Sequence, residues 1–236
     1  MTEQNHLPSQ PQNIATLIHS AEVAELKPEL LTGLKSLGLM LNNQQVELIL
    51  GYVGLLHKWG AVYNLTAIRL PREILVHHVL DCLAIVNPML LQIDSAAHVL
   101  DVGSGAGLPA VMIAVACPKM TVVAVDAVAK KIAFIQQVAL QLGLNNLSAQ
   151  HERVERLVSA DYDLIVSRAF SSLTDFISGT RLAIKPKGRW LAMKGKLPEE
   201  EIRGLPKTVT TQAIQSLQVP GLNAERCLVW MAPVPA

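Results

Sequence analysis

The first third of the chain repeats its hydrophobic positions at the three- and four-residue spacing of helices. The spacing recurs from about residue 14 to residue 63, and the stretch VELILGYVGLLHKW, residues 46–59, carries a continuous apolar stripe. A second helix is predicted for PREILVHHVLDCLAIV, residues 71–86, because a proline in the first turn is typical of a helix start. We therefore predict a helical segment over 29–96, preceded by an N-terminal extension, 1–28, that is poorly ordered or loosely helical.

From residue 98 onward, short apolar runs alternate with longer amphipathic stretches. The short runs are typical of buried strands, and the amphipathic stretches are typical of helices. Such alternation over about 100 residues indicates a parallel sheet covered on both faces, so we predict one α/β domain over 97–236. The predicted helices are 107–116, 127–144 and 173–184, and the predicted strands are 98–102, 120–126, 147–152, 163–170 (a strand with its following turn) and 188–195, with two more within 208–219 and 225–233.

The composition limits the partners and the cell compartment that we expect for the protein. Half of its 236 residues are apolar, and its formal net charge is only +1. Between residues 181 and 207, eight Lys and Arg side chains stand against three Glu, an excess that could attract a polyanion or simply form a solvated surface. The three cysteines share no motif spacing, and we find neither a signal-peptide layout nor an apolar run near the roughly 20 residues of a membrane span. We expect a cytoplasmic protein without membrane contact, and nothing in the pattern requires more than a monomer.

Three glycines, Gly103, Gly105 and Gly107, follow the first predicted strand. Ligands of parallel sheets bind at the carboxyl ends of the strands, and glycines there let a ligand approach the main chain closely. The dinucleotide fingerprint would need a glycine at position 108, where this chain has Leu108, and the phosphate loop would need a following Gly-Lys-Ser/Thr. The stretch LDVGSGAG instead matches the first motif of S-adenosylmethionine methyltransferases.

An acidic residue supports this interpretation. Asp126 ends the second predicted strand, where a carboxylate can accept hydrogen bonds from both ribose hydroxyls of the cofactor. The alternative is a glycine turn that packs a helix tightly on a strand. Asp101, which ends the first strand, has an alternative of its own, since it could cap the N–H groups of the loop.

The residues after the fourth predicted strand constrain the methyl acceptor. Methylation at carbon 5 of a pyrimidine needs a cysteine nucleophile there, and methylation of an exocyclic amine commonly uses an (Asn/Asp)-Pro-Pro-(Tyr/Phe) loop. This chain has SRAF at residues 167–170. An acceptor with a free lone pair, such as N7 of guanine, needs only alignment with the methyl group and exclusion of water. A small-molecule or protein acceptor, or a catalytically silent RNA-binding module with the same fold, stays open at this point.

Several side chains near the strand ends are candidates for binding. Arg168 could bind the cofactor carboxylate, an RNA phosphate or guanine O6, or form a strand-end salt bridge. Lys194 could contact phosphate or be solvated. Val154 could cover the adenine ring while Glu155 meets its polar edge, or both could belong to an ordinary turn. No cluster has metal-ligand spacing, so we predict no metal site.

Seven segments, spread from about residue 30 to the C-terminus, resemble the small-subunit ribosomal RNA guanine-N7 methyltransferases, the RsmG (GidB) family. They are LHKWGAVYNLTAIR (56–69), HHVLDC (77–82), LDVGSGAGLP (100–109), HERVE (151–155), SRAFSSL (167–173), AMKGK (192–196) and LQVPGLNAERCLV (217–229). The resemblance implies a class I methyltransferase fold, a Rossmann-like and mostly parallel seven-stranded sheet after an N-terminal helical segment. It also implies methyl transfer from S-adenosylmethionine to N7 of one guanine in the decoding region of 16S rRNA, with 16S rRNA or the 30S subunit as partner.

Residue roles carried over from the family fall on two groups of positions. Cofactor contacts fall on Gly103, Leu108, Val154, Glu155 and Arg168. RNA contact or loop ordering falls on three others, Asn64, Arg153 and Lys194. The chain departs from the family's usual pattern at four positions, with His77 in place of an arginine, Cys82 in place of a serine, Ala110 in place of a glycine, and Met112 in a stretch that usually has a small residue and proline.

Overall fold

A computed structural model describes residues 21–168, 170 and 172–234 of the chain. Its N-terminal part is helical, as the apolar spacing predicts. At the start of α3, the side-chain oxygen of Asn42 accepts from the backbone N–H of Gln45, and the side chain of Gln45 accepts in return from that of Asn42. The helices are α1 (Ala21–Ala24), α2 (Lys27–Ser36), α3 (Asn43–Gly60) and α4 (Pro71–Leu90), the last with a π-helical segment at Leu75–Leu80.

The rest of the described chain forms a seven-stranded sheet in the order β3-β2-β1-β4-β5-β7-β6. The strands pair in parallel from β3 to β5, whereas β7 runs antiparallel to both β5 and β6. The predicted mostly parallel, seven-stranded sheet is therefore confirmed. The strands are β1 (His98–Val102), β2 (Thr121–Asp126), β3 (Leu147–His151), β4 (Tyr162–Ser167), β5 (Ile184–Lys194), β6 (Val209–Leu217) and β7 (Arg226–Pro233).

Helices connect the strands, and the sequence prediction was wrong about where one helix ends and where β5 begins, which is Ile184 and not residue 188. The helix predicted over 173–184 ends at Thr180, because Ile184 already starts β5 and packs in the core of the sheet. The sequence pattern did not predict α8, whose five residues are too few to show helical spacing. The connecting helices are α5 (Ala110–Ala116), α6 (Ala129–Leu142), α7 (Leu173–Thr180) and α8 (Glu199–Arg203), with a 3₁₀ turn at Val154–Arg156.

Two hydrophobic clusters lie on opposite faces of the sheet because successive strand residues point to opposite sides. Val99 joins the larger cluster, which contains the buried residues of α1 to α6, whereas Leu100 joins the smaller one with α7. The N-terminal helices thus share one core with the sheet. The predicted boundary at residue 28 falls inside α2, and Val23 and Leu26 before it are buried in that core. The rest of the predicted extension, 1–20, lies outside the described residues.

Helix α4 contradicts the expectation that no stretch approaches a membrane span. It has 20 residues and is apolar enough to cross a membrane by length and composition alone. However, 72% of its most apolar window is buried inside the protein, as in the core helix of a folded domain. Burial rather than lipid accounts for its composition.

Candidate functional site

The glycine loop lies at the carboxyl end of β1 and is held against the end of β2. The N–H groups of Gly103 and Ser104 both donate to the carbonyl oxygen of Val125, at 2.9 and 3.1 Å. The N–H of Gly105 donates to Oδ2 of Asp126 at 2.9 Å, and Oδ1 of Asp126 accepts from Val128 at 2.9 Å. The carboxylate therefore fixes the loop and the turn that comes after its own strand.

The three loop glycines have positive φ angles but different surroundings. A Cβ at Gly107 would lie 2.9 Å from Val111 and 3.2 Å from Ile135, so this glycine lets α5 and α6 pack closely. A Cβ at Gly103, where φ is 68°, would meet nothing within 4 Å. The packing interpretation of the glycine pattern is correct for Gly107, whereas Gly103 presents bare main chain to open space.

Asp101 lies beneath this loop and is completely buried. Its Oδ2 accepts from the Ser104 hydroxyl at 2.6 Å and from the Ala110 N–H at 3.1 Å, so it caps the loop as the alternative interpretation expected. Its Oδ1 has no partner among the described residues. Burial raises the pKa of Asp101 to about 6. A buried acceptor without a partner is rare in proteins.

A cavity of about 360 Å³, which we call the glycine-loop cavity, opens beside Gly103. It brings together four of the predicted cofactor residues, since its lining includes Gly103, Asp126, Val154 and Glu155. Arg153, which was predicted to contact RNA or to order a loop, lines the same cavity. Its remaining lining residues are Val125, Ala127, Glu152 and Phe170.

Three other predicted cofactor residues do not line the glycine-loop cavity. Gly105 belongs to the loop and contributes its N–H to Asp126. Leu108 is buried in the larger core cluster. Arg168 lies in a separate cavity on the other side of the loop's strand, together with residues of α4, β5 and β7.

This second cavity, which we call the cationic cavity, measures about 460 Å³. Its lining combines a cluster of positive charge with one buried carboxylate. The lining residues are Ile68, His77, His78, Asp81, Arg168, Met193, Lys194, Gly195 and Arg226.

Asp81 organises the charges of the cationic cavity. It lies on α4 with 3% of its surface exposed. Its Oδ1 accepts from Nε of Arg226 at 2.7 Å, and its Oδ2 lies 3.4 Å from Nη1 of Arg168. The carboxylate thus holds two guanidinium groups, from β7 and from the end of β4, on one wall of the cavity.

His78 is the neutral member of this group. Its Nε2 lies 2.7 Å from the Thr66 hydroxyl, and its Nδ1 lies 3.4 Å from Nη1 of Arg168. Burial, followed by the nearby positive charge of Arg168, lowers the pKa of His78 to about 4. The imidazole is therefore uncharged near neutral pH and a weak base.

Lys194 lines the cationic cavity but has an acidic partner. Its Nζ lies 2.9 and 3.2 Å from the two carboxylate oxygens of Glu201 on α8. Glu201 also accepts from the backbone N–H of Leu173 at 2.7 Å, so it anchors the first turn of α7. The basic side chains of the run over 181–207 do not all lie at one edge of the sheet. Lys185 lies near the start of β5 and pairs with Asp163, whereas Lys194 lies at the other end of the same strand.

Asn64 lies in the turn after α3 and lines neither cavity. Its φ of 50° is in the left-handed region, which asparagine tolerates better than most residues. The backbone conformation explains the residue type here without a ligand. Asn64 therefore stays a prediction as a positioning residue.

Sequence reasoning assigned no role to Asp81, Arg226, Thr66 or Glu201. One signal was available for Asp81, the single acidic residue in the apolar stretch 74–93, since a buried acid requires partners. The other three become site residues only through tertiary contacts. Over the described ranges no three His, Cys, Asp or Glu side chains come together as a metal site would require, and the absence of a metal stays a prediction.

Comparisons with known proteins agree on the type of protein that this chain resembles. The family profile described as "GidB: rRNA small subunit methyltransferase G" matches residues 45–229. The "Ribosomal RNA small subunit methyltransferase G" of Albidiferax ferrireducens is 50% identical over 218 residues, covering 88% of this chain and 97% of that protein. The protein of the same name from Polaromonas sp. strain JS666 is 51% identical over 208 residues, covering 86% and 92%.

Solved structures with a similar fold are more distant in sequence. The crystal structure of "a SAM dependent methyltransferase from Aquifex aeolicus" matches with a TM-score of 0.53 and 18% identity, over 69% of this chain and 93% of that one. At this identity the likeness concerns the fold, which is that of the class I methyltransferases.

Proposed function

Because this chain belongs to the rRNA small subunit methyltransferase G family, we propose that it methylates N7 of a guanine in the decoding region of 16S rRNA, by positioning and without a general base. The coarser activity follows from membership: the chain is an S-adenosylmethionine-dependent methyltransferase of 16S rRNA, acting on that RNA or on the 30S subunit. We further propose that it acts in the cytoplasm as a monomer.

The glycine-loop cavity fits the methyl donor. The open main chain at Gly103 is a feature that a bound amino-acid portion would use, whereas Asp101 lies buried beneath the same loop and does not line the cavity. Asp126 is proposed to accept from the ribose hydroxyls while it keeps Gly105 in place, and Val154 and Glu155 to cover the adenine. When bound, S-adenosylmethionine supplies an electrophilic methyl group on its sulfonium.

The cationic cavity is proposed to hold the acceptor guanine. Three groups on its wall that could remove a proton are unsuited to that role near neutral pH, and the remaining one, His77, is exposed. Asp81 is paired with two arginines, Lys194 is paired with Glu201, and burial keeps the pKa of His78 at about 4. N7 of guanine carries its own lone pair and releases no proton on attack, so it is an acceptor that this wall can serve.

Arg168 and Arg226 are proposed to position the base. A guanidinium donates in the plane of its fork and can donate to guanine O6 alone, which leaves the lone pair of N7 free. Asp81 keeps both groups on the wall, which leaves alignment of N7 with the methyl group as the main catalytic contribution. We assign Lys194 and Asn64 supporting roles in RNA contact or loop ordering.

The observation that carries the proposal is that Asp81, Lys194 and His78 are each unsuited to act as a base in the cationic cavity. The test is incorporation of labelled methyl into 30S particles from cells that lack the enzyme, followed by borohydride and aniline treatment, which cleaves RNA at N7-methylguanosine. We expect one new cleavage site in 16S rRNA. Label that enters the RNA without this cleavage would reject N7, and label in a small molecule or protein would reject RNA as acceptor. Calorimetry with S-adenosylmethionine separates both from a silent module, which should release no binding heat.

A further inference from the structure

A third cavity, larger than the glycine-loop and cationic cavities, lies beside the cationic cavity and has no role in the activity proposed so far. It measures about 760 Å³ and is formed by β6, β7 and the chain between them, so we call it the hairpin cavity. It shares Gly195 and Arg226 with the cationic cavity, so the two cavities adjoin each other at the Arg226 side chain. The same loop packs on α4, since a Cβ at Gly221 would lie 3.3 Å from Val76.

The chemistry of the hairpin cavity differs from that of the cationic cavity. The charges of its two charged lining residues, Glu225 and Arg226, have opposite signs. The lining therefore has no excess of positive charge that would bind a phosphate. Leu217 and Leu222 give it an apolar surface, and several neutral polar side chains lie beside them. These polar residues are Ser216, Gln218 and Asn223.

We propose that the hairpin cavity is a subsite for the base of a nucleotide next to the acceptor guanine. This inference rests on the proposed function. An acceptor base must leave its stack to reach the methyl donor, so its neighbour loses a stacking partner. Apolar side chains replace the lost stacking contact, and amide side chains both donate to and accept from base edges. A base, rather than a phosphate, fits a cavity with balanced charge.

A pair of matched substitutions tests the subsite. Ser216→Trp fills the hairpin cavity from the exposed edge strand β6, while Ser178→Trp makes the same change on α7 in a separate cavity that shares no lining residue with it. Losing one base contact should raise the KM for unmethylated 30S particles about tenfold for Ser216→Trp. Ser178→Trp should leave that KM unchanged, and both variants should keep the wild-type Kd for S-adenosylmethionine. A KM for Ser216→Trp within about twofold of wild type, with wild type active, overturns the subsite.

Two further readings identify what occupies the cavity. The ratio of the variant's KM to the wild-type KM should stay constant as salt rises, whereas a ratio that falls toward one would indicate a phosphate and reject a base. A photoreactive benzoylphenylalanine in place of Ser216 should crosslink to a nucleotide directly beside the methylated guanine. A crosslink to a ribosomal protein, to distant RNA or to nothing would overturn the proposal. Failure of the wild-type enzyme to methylate guanine N7 in 16S rRNA would instead count against the proposed function.

Discussion

The two cavities proposed for donor and acceptor are built on different principles. The glycine-loop cavity is lined by residues that end or follow the neighbouring strands β1 to β4, and a glycine leaves its main chain open at Gly103. The cationic cavity consists of charged side chains brought from α4, β4, β5 and β7. Asp81 meets Arg168 across 87 residues of sequence and Arg226 across 145.

Because of this difference, the two cavities should be sensitive to different kinds of substitution. The donor cavity depends on a missing side chain, so an added atom should damage it most. The acceptor cavity depends on one buried carboxylate that holds two cations, so loss of a charge should damage it most. Substitutions of each type, made in both cavities, test whether donor and acceptor functions are divided in this way.

The largest expected effect comes from adding a side chain at Gly103. Gly103→Val should weaken binding of S-adenosylmethionine about 100-fold, or about 3 kcal/mol, because the side chain would occupy the open space beside the main chain. Isothermal calorimetry measures the Kd.

Gly143 provides a matched control for this substitution. It ends α6 with φ of 64°, close to the 68° of Gly103, and a Cβ there also meets nothing within 4 Å. Gly143→Val should therefore cost similar stability, about 1–2 kcal/mol, and leave the Kd unchanged. Equal loss of cofactor binding in both variants would mean that backbone strain, and not a blocked site, is responsible.

The second effect comes from removing the charge of Asp81. Asp81→Asn leaves Arg168 and Arg226 without their buried counter-ion, so kcat/KM for 30S particles should fall about 30-fold, equivalent to about 2 kcal/mol. The Kd for S-adenosylmethionine should change little. Steady-state kinetics and calorimetry on the same preparation measure both.

Asp163→Asn is the control for charge loss as such. Asp163 pairs with Lys185 at 2.8 Å, but both side chains are more than a third exposed, and the pair lies away from both cavities. Partial exposure limits its worth to about 1 kcal/mol or less. If Asp163→Asn lowered methyl transfer as much as Asp81→Asn, the assignment of Asp81 to the acceptor cavity would be wrong.

The same division explains how much of this molecule could be predicted from its sequence. The sheet, the glycine loop and Asp126 are recorded in local apolar runs and fixed spacings, and each was predicted. The helix end at Thr180 was missed because the apolar residues Leu182 to Ile184 continue a helical spacing that β5 overrides through its pairing with β4.

The acceptor side was less predictable because its contacts are tertiary. Arg168 was predicted either to bind a ligand or to form a strand-end salt bridge, and it forms a salt bridge with Asp81, a partner that could not be inferred from spacing. Lys194 was singled out as a phosphate contact without its partner Glu201, which lies on a helix too short to show a pattern. Local sequence indicates where a turn occurs, but it does not indicate which charged side chains from distant parts of the chain come into contact.

The third effect concerns the hydrogen bonds of Asp126. Asp126→Ala should weaken binding of S-adenosylmethionine about tenfold, since it removes the proposed ribose contacts and frees the N–H of Gly105. Asp126→Asn keeps one acceptor oxygen and should lose less. If Asp126→Ala bound the cofactor as tightly as wild type does, the ribose would have to lie elsewhere.

The smallest effect is a pH dependence of stability to which His78 and Asp101 contribute with opposite signs. The pKa of His78 is lowered from 6.5 to about 4, so the unfolded chain takes up the proton first, and this contribution to stability is lost as pH falls below 6.5. The pKa of Asp101 is raised from 3.8 to about 6, so its contribution is fully present below 3.8 and is lost as pH rises through 6. Over the interval from about pH 7 to about pH 5.5 the two changes have opposite signs and similar size, about 1 kcal/mol each.

Two substitutions separate these contributions through the slope of stability against pH. Relative to wild type, His78→Gln should gain about 1 kcal/mol in free energy of unfolding on going from about pH 7 to about pH 5.5, because only the opposing contribution of Asp101 remains. Asp101→Asn should lose about the same amount over the same interval, because only His78 then responds. Urea denaturation at a series of pH values measures the free energy of unfolding. Each substitution also removes contacts, but that loss is the same at every pH and does not change the slope. Parallel slopes for wild type and His78→Gln would show that His78 is not held neutral by burial beside Arg168, and His78 would then be a candidate base on the acceptor wall.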